Sequence, residues 1–186
     1  LLEGAQLYRD CLQLCERGIA STRVLGELMS RAGVKDVCII ENAFDAETLR
    51  IADLLLAQGK AVRENDNIVI VYGSGTRTHD QDFVECASGL IAAMDAEPRL
   101  VLKIIGELTL PDDFQRFGSR VEYLEGRDYA GYMAVLAEAD IAIAPLDPSI
   151  FNDATITHKF LDASFPQIPS ACSPFATFPG VVDTGR

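Results

Sequence analysis

Two glycines, a serine, two threonines, an arginine and a histidine crowd into Gly73-Ser74-Gly75-Thr76-Arg77-Thr78-His79-Asp80. Glycines let a backbone turn tightly and come close to a ligand. Threonine hydroxyls add donors, and a guanidinium presents a fork suited to phosphate oxygens. A helix starting near Asp80 would aim free N–H groups and its positive dipole end at the same loop. That is chemistry for holding a phosphate. The same residues also read as a plain glycine turn with Asp80 as a helix cap. The loop is neither a Walker loop nor a G-x-G-x-x-G fingerprint.

Two further clusters carry polar chemistry. Glu125-Gly126-Arg127-Asp128 reads either as a strand-to-helix turn capped by Asp128 or as a wall where backbone groups meet a planar base. The long polar stretch LDPSIFNDATITHKFLD, Leu146 to Asp162, puts His158 and Asp162 at i, i+4 with Lys159 beside them. A lone His–Asp pair is ordinarily solvated or capping. With 2 histidines in the chain, no Ser/His/Asp order or metal-ligand spacing recurs. No metal is expected.

The elements that must position these clusters follow from hydrophobic pattern. Leu7 to Arg17 sets Tyr8, Cys11, Leu12 and Cys15 on one helical face, and Gly18 to Ser21 reads as a strand. Ser21 or Thr22 can cap a helix that ends near Gly33. Val37 to Ile40 reads as a short buried strand and Ala46 to Gln58 as a leucine-rich helix. The polar run QGKAVRENDN, Gln58 to Asn67, marks a boundary between a leading segment, 1–60, and a main domain, 61–186.

Beyond it the pattern is regular. Strands are expected at Ile68–Tyr72, Leu100–Ile105, Val121–Leu124, Ile141–Ala144 and Ser170–Cys172. Helices are expected between them, from Asp80 to Ala96, from Pro111 through Phe117, after Asp128, and from Asp153 to Ala163. Continuous apolar strands alternating with helices predict an α/β domain with a doubly wound, parallel, Rossmann-like sheet. Ligands of such sheets bind beyond the carboxyl ends of the strands, where all three clusters fall.

Composition narrows the partners. The 186 residues hold 16 Lys+Arg against 28 Asp+Glu, a net charge of −12, with 48% hydrophobic and 24% charged residues. This is the profile of a globular domain. A pI near 4.5 argues against a nucleic-acid partner, which needs clustered cations, but not against one small phosphate ligand. No apolar run is long enough to span a membrane. The 5 cysteines (Cys11, Cys15, Cys38, Cys86, Cys172) are odd in number and scattered, as expected of buried free thiols in the cytoplasm. A chain opening at Leu1 without a methionine is expected to be a piece of a longer protein.

The segments YGSGTRTHDQDF, LVLKIIGEL, VEYLEGRDYAGYMAVLAEADIAIAPL and FNDATITHKFLDASFPQIPSACS, in that order, resemble the C-terminal, donor-binding half of retaining GT-B glycosyltransferases of the group 1 family. GIASTRVLGELM and VCIIENAFD resemble that family's segments just before this domain. The resemblance runs from about Tyr8 to Arg186. It implies a nucleotide-sugar donor, no bound metal or other cofactor, and an N-terminal domain elsewhere in the parent chain that supplies the acceptor side. Peripheral membrane contact of the parent and a homodimer are left open.

By the same resemblance, Gly73, Gly75 and Thr76 form the loop at the donor phosphates, and Arg77 falls where the family usually has a lysine. Lys159 joins them in stabilising the leaving diphosphate. Glu125 lies where the nucleotide base is met. Asp162 takes the second place of the family's E-x7-E pair, the one that grips the ribose, and Ala154 takes the first. Related sequences read N-x-x-K-S-x-x-K-x-L-E; Asn152, Lys159, Leu161 and the acid at Asp162 are kept, whereas Thr155 and Ile156 replace the first lysine and the serine. Pro166-Gln167-Ile168-Pro169 stands for the usual L-G-V-P. Two readings follow, a glycosyltransferase donor half and a non-catalytic binding module that keeps the fold. A domain for a dinucleotide such as NAD is the third, and it lacks the fingerprint and its acid.

Overall fold

The run Ile68-Val69-Ile70-Val71-Tyr72 has no polar residue to spare for solvent, and it forms the middle of a sheet. The computed structural model describes residues 2–59, 65–75, 80–154 and 158–174. By their contacts these fall into two units. One holds the described residues of Leu1–Ala43, Pro148–Ile156 and Pro174–Arg186, the other those of Phe44–Asp147 and Thr157–Ser173.

The larger unit contains α3 (Ala46–Gln58), β3 (Ile68–Ser74), α4 (Asp80–Ala96), β4 (Leu100–Gly106), β5 (Val121–Leu124), α5 (Tyr129–Glu138), β6 (Ile141–Ala144), α7 (His158–Ser164) and β7 (Ser170–Cys172). Its five strands are all parallel, in the order β5-β4-β3-β6-β7. The chain therefore starts in the centre, winds outward to β5, then returns past β3 to build β6 and β7. The order reverses between β3 and β6, and open α/β sheets take ligands beyond the carboxyl ends of their strands near such a reversal.

Both faces of the sheet are covered, as its unbroken apolar strands require. Ile70, Tyr72, Leu102 and Ile104 pack with Phe83, Leu90 and Met94 of α4 and with Phe114 and Phe117. On the other face Val69, Val71 and Ile105 meet Met133 and Leu136 of α5 and Ala163 of α7. An aromatic chain ties the first core together. Ring centroids are 5.2 Å apart for Tyr72–Phe83, 5.6 Å for Phe83–Phe114 and 6.0 Å for Phe114–Phe117. Such pairs contribute about 0.5–1.5 kcal/mol each beyond their buried area.

The segment after Pro111 is a 3₁₀ helix, Asp112–Arg120, with a break at Gly118. Arg120 fastens it by donating from Nη1 to the Met94 carbonyl at 2.8 Å while stacking over Phe117.

The smaller unit contains α1 (Leu2–Gln13), β1 (Arg17–Ala20), α2 (Arg23–Arg31), β2 (Asp36–Ile39) and α6 (Ile150–Asp153). The buried Thr22 is the cap of α2: its hydroxyl accepts the Leu25 amide at 3.1 Å and donates to the Ala154 carbonyl at 3.0 Å. Gly26 lets α2 lie directly on Ile39, whose Cδ1 is 2.5 Å from where a side chain on Gly26 would begin.

Three expectations need correction. The strand expected to be buried near Val37 is largely exposed, because β1 and β2 form a sheet of only two strands with α2 on one side. Ile19 and Cys38, paired in register, lie on the other side and are exposed. All five cysteines are free, but Cys11, Cys15 and Cys38 are exposed and only Cys86 and Cys172 are partly buried. The helix expected over Asp153–Ala163 is two helices. Ser149 starts α6 by accepting the Asn152 amide, α6 ends at Asp153, and α7 begins at His158. The β-branched run Thr155-Ile156-Thr157 between them disfavours helix and lies outside the described residues.

Candidate donor-binding cleft

At the carboxyl ends of β3 and β4 the backbone is packed too closely for side chains. Ser74 turns its side chain inward, where its hydroxyl donates to the Glu107 carbonyl at 2.5 Å. Its register partner Gly106 has φ +93°. A Cβ on Gly73 would stand 2.9 Å from the Tyr132 ring. Packing within the chain therefore requires glycine at 106, and any side chain at 73 would have to displace the Tyr132 ring. Gly75 differs: its φ lies outside the left-handed region, and a Cβ there would meet nothing within 4 Å among the described residues. The space that its missing side chain leaves is open cleft.

That cleft has a volume of about 410 Å³ and is walled by Gly73, Ser74 and Gly75, by Ile105 and Gly106, by Gly126, Arg127, Tyr129 and Tyr132, and by Lys159. Hollows of about 500 and 430 Å³ lie elsewhere, the first over Arg23, Glu27 and Ile39, the second under Leu108, Phe114 and Tyr123. The first belongs to the smaller unit, and the second is lined by the 3₁₀ segment with its approach from Leu108 and by Val121 and Tyr123 of β5. Only the smallest of the three joins exposed loop backbone to a half-buried cation, and it is the candidate site.

Lys159, on the first turn of α7, places Nζ 5.6 Å from the centre of the Tyr72 ring. Among the described residues it makes no hydrogen bond or close ion pair. Burial lowers its pKa from the ordinary lysine value, and the charges of Asp82 and Asp162 oppose that shift. Asp82 is itself buried on α4, where Oδ1 accepts the Asp147 amide at 3.0 Å and so fixes the loop that follows β6. Asp80 accepts the Thr109 amide at 3.2 Å, tying the start of α4 to the chain beyond β4.

The opposite wall is the start of α5. Asp128 caps it by accepting the Gly131 amide at 2.9 Å, as its position implied. Tyr129 donates its hydroxyl to Oδ1 of Asp162 at 3.0 Å. Its phenol is pushed up to about 12, first by burial and then by the Asp162 charge. The Asp162 carboxyl is raised above the ordinary aspartate value, chiefly by burial, against the opposing effects of Tyr129, His158 and Lys159.

The structure thus brings Gly73, Gly75 and Lys159 to one cleft. Glu125 is exposed and is not among the wall residues, though its neighbours Gly126 and Arg127 are. Asp162 is partly exposed and is not among the wall residues, but it is one hydrogen bond from Tyr129, which is. Ala154 belongs to the smaller unit. Thr76 and Arg77, like Thr155 and Ile156, lie outside the described residues. Sequence reading gave Tyr129 and Tyr132 no role beyond the helix after Asp128, named Arg127 only as part of the turn before it, and passed over Gly106 and Asp82. For Gly106 the signal was a glycine closing an apolar strand. Among the described residues no group of three or more His, Cys, Asp or Glu side chains could hold a metal ion. No helix among them is long and apolar enough to cross a membrane.

Neither a protein-family model nor a curated protein sequence matches the chain. Solved structures do. Sucrose-phosphate synthase from Thermosynechococcus elongatus is 16% identical, with 96% of this chain and 45% of that one covered at a TM-score of 0.58. A mutant of S. aureus TarM, in complex with Fondaparinux, alpha-GlcNAc-glycerol and UDP, is 9% identical over 97% of this chain and 35% of that one, TM-score 0.61. The pneumococcal O-GlcNAc transferase GtfA, in complex with UDP and GlcNAc, is 12% identical over 91% and 32%, TM-score 0.53. The chain spans less than half the length of each. At these identities the likeness is one of fold: the α/β, Rossmann-like fold of GT-B glycosyltransferases.

Proposed function

We propose that this chain is the donor-binding half of a retaining group 1 glycosyltransferase, which moves a sugar from a nucleotide-diphosphate sugar to an acceptor. One observation carries the reading. The cleft at the carboxyl ends of β3 and β4 joins the open space at Gly75 to the half-buried ammonium of Lys159. Backbone N–H groups and a desolvated cation are what a diphosphate needs. The UDP held by two proteins of similar fold supports the same ligand class.

In this reading Gly73, Gly75, Thr76, Arg77 and Lys159 hold the diphosphate. As the bond between sugar and diphosphate breaks, they stabilise the negative charge that develops on the leaving oxygen. Glu125 and its neighbours meet the base, and Asp162 accepts from the ribose. No metal or other cofactor is required. The acceptor and the groups that act on it come from an N-terminal domain of the parent chain, which works in the cytoplasm and can contact a membrane peripherally. Exposed Leu7, Tyr8 and Ile19 in the smaller unit offer apolar surface to that domain or, in the chain alone, to a second copy. Light scattering that finds only a monomer would remove the second copy.

The second reading, a non-catalytic module, is favoured by Ala154, which offers no side-chain hydrogen bond where the family has a carboxylate. A thermal-shift and calorimetry panel of UDP, GDP, ADP and their sugar conjugates separates the two. A diphosphate that stabilises the wild type by mass action, but neither Arg77→Ala nor Lys159→Ala, supports the donor half. Silence at millimolar ligand, repeated on the parent protein, supports the module.

A further inference from the structure

Tyr129 is the point at which the cleft wall is joined to α7. Its side chain lines the cleft, and its hydroxyl donates to Oδ1 of Asp162 at 3.0 Å. That is the only hydrogen bond Asp162 makes among the described residues, so Oδ2 keeps its acceptor capacity. The phenol is steadied in turn. Its ring lies 6.4 Å from that of Tyr132.

An ionised carboxylate only accepts hydrogen bonds, at either oxygen, and with no partner it turns freely about its terminal bond. With one oxygen held by a phenol, the direction of the other is set. A half-buried carboxylate with one held and one open oxygen suits a neutral O–H donor, such as one hydroxyl of a vicinal diol.

We propose that Tyr129 is a positioning residue of the cleft: by holding Oδ1 of Asp162 it presents Oδ2 to a ribose hydroxyl of the bound nucleoside diphosphate, so that the site selects ribose over deoxyribose. The inference rests on the donor-site reading above. Tyr129 acts on the ligand through Asp162, so its effect has to vanish when either the ligand hydroxyls or the Asp162 carboxylate is removed.

The test is calorimetric titration of the chain with UDP, GDP and ADP, each beside its dideoxyribose analogue. Wild type, Tyr129→Phe, Asp162→Asn and the double variant are compared, with thermal midpoints measured alongside. Tyr129→Phe is expected to weaken the ribonucleotide about five- to ten-fold. It leaves the dideoxy analogue unchanged and adds nothing in the Asp162→Asn background. Equal losses for both sugars, or losses that multiply in the double variant, would show a ring-packing role and overturn the inference. Ribonucleotide binding that Tyr129→Phe does not alter would overturn this inference and leave the donor site standing. If the wild type binds none of these ligands, both fall together.

Discussion

The carbonyl oxygen of Ser74 lies 1.9 Å from the point where a side-chain carbon on Gly106 would stand. Strands β3 and β4 are therefore clasped at their exits, and the floor of the cleft is backbone laid against backbone. Gly106→Ala has to break that clasp and also strain a φ of +93°. It is expected to destabilise the fold by about 2–4 kcal/mol, read by urea denaturation. A variant as stable as the wild type would mean the clasp is not needed.

Gly75 gives the converse case. A methyl group there meets nothing within 4 Å among the described residues, so Gly75→Ala should change stability by no more than about 0.5 kcal/mol. It should still weaken a bound diphosphate by about ten-fold, because the methyl occupies the space through which the backbone N–H groups are reached. Loss of stability with unchanged binding would reverse the roles assigned to the two glycines.

The half-buried Lys159 sets a pH dependence with a definite sign. Its folded-state pKa lies below the ordinary lysine value of 10.5. Between the two, the unfolded chain binds more protons than the folded one, so stability without ligand rises as pH rises through that window. Diphosphate affinity falls over the same window, because the ammonium that holds the ligand is being lost. Asp162 runs the other way. Its raised carboxyl makes stability fall as pH climbs from 3.8 through its folded value. Thermal midpoints and calorimetry across alkaline pH should show both Lys159 trends, and Lys159→Met should abolish them. Trends that survive in Lys159→Met would assign them to another group.

Gln167 carries the positive φ of 61° among the non-glycine residues described. The Gln167 amide donates to the Ser164 carbonyl and the Ile168 amide to the Ala163 carbonyl. This closes α7 with a left-handed cap of the kind that usually holds glycine. Gln167→Gly is expected to stabilise the chain by roughly 0.5–1 kcal/mol, the left-handed strain relieved less the added freedom of the unfolded chain. Chemical denaturation checks it, and a loss of stability would show the glutamine to be engaged in a contact worth more than the strain.

This cap shows how sequence and structure met. The glutamine stands where the resembling family reads glycine, and the backbone explains why glycine is usual there. The larger unit was legible because its strands are unbroken apolar runs, and the caps Thr22 and Asp128 sit where a short polar residue precedes a periodic segment. Periodicity did not reveal that Ile19 and Cys38 lack a second layer, since a two-stranded sheet reads like a piece of a larger one. Nor did it mark Tyr129. On a helix face its ring reads as core, and only the fold brings its hydroxyl to Asp162, 33 residues away in sequence.

The most direct test of the account is amide chemical-shift mapping of the isotope-labelled chain during titration with UDP, GDP or ADP. Perturbations centred on Gly73, Ser74, Gly75, Gly126 and Arg127, lost in Lys159→Ala, are the expected result. Shifts gathered instead around Arg23, Gly26 and Val37, or no shifts with any diphosphate, would contradict the placing of a nucleotide at the carboxyl edge of the sheet.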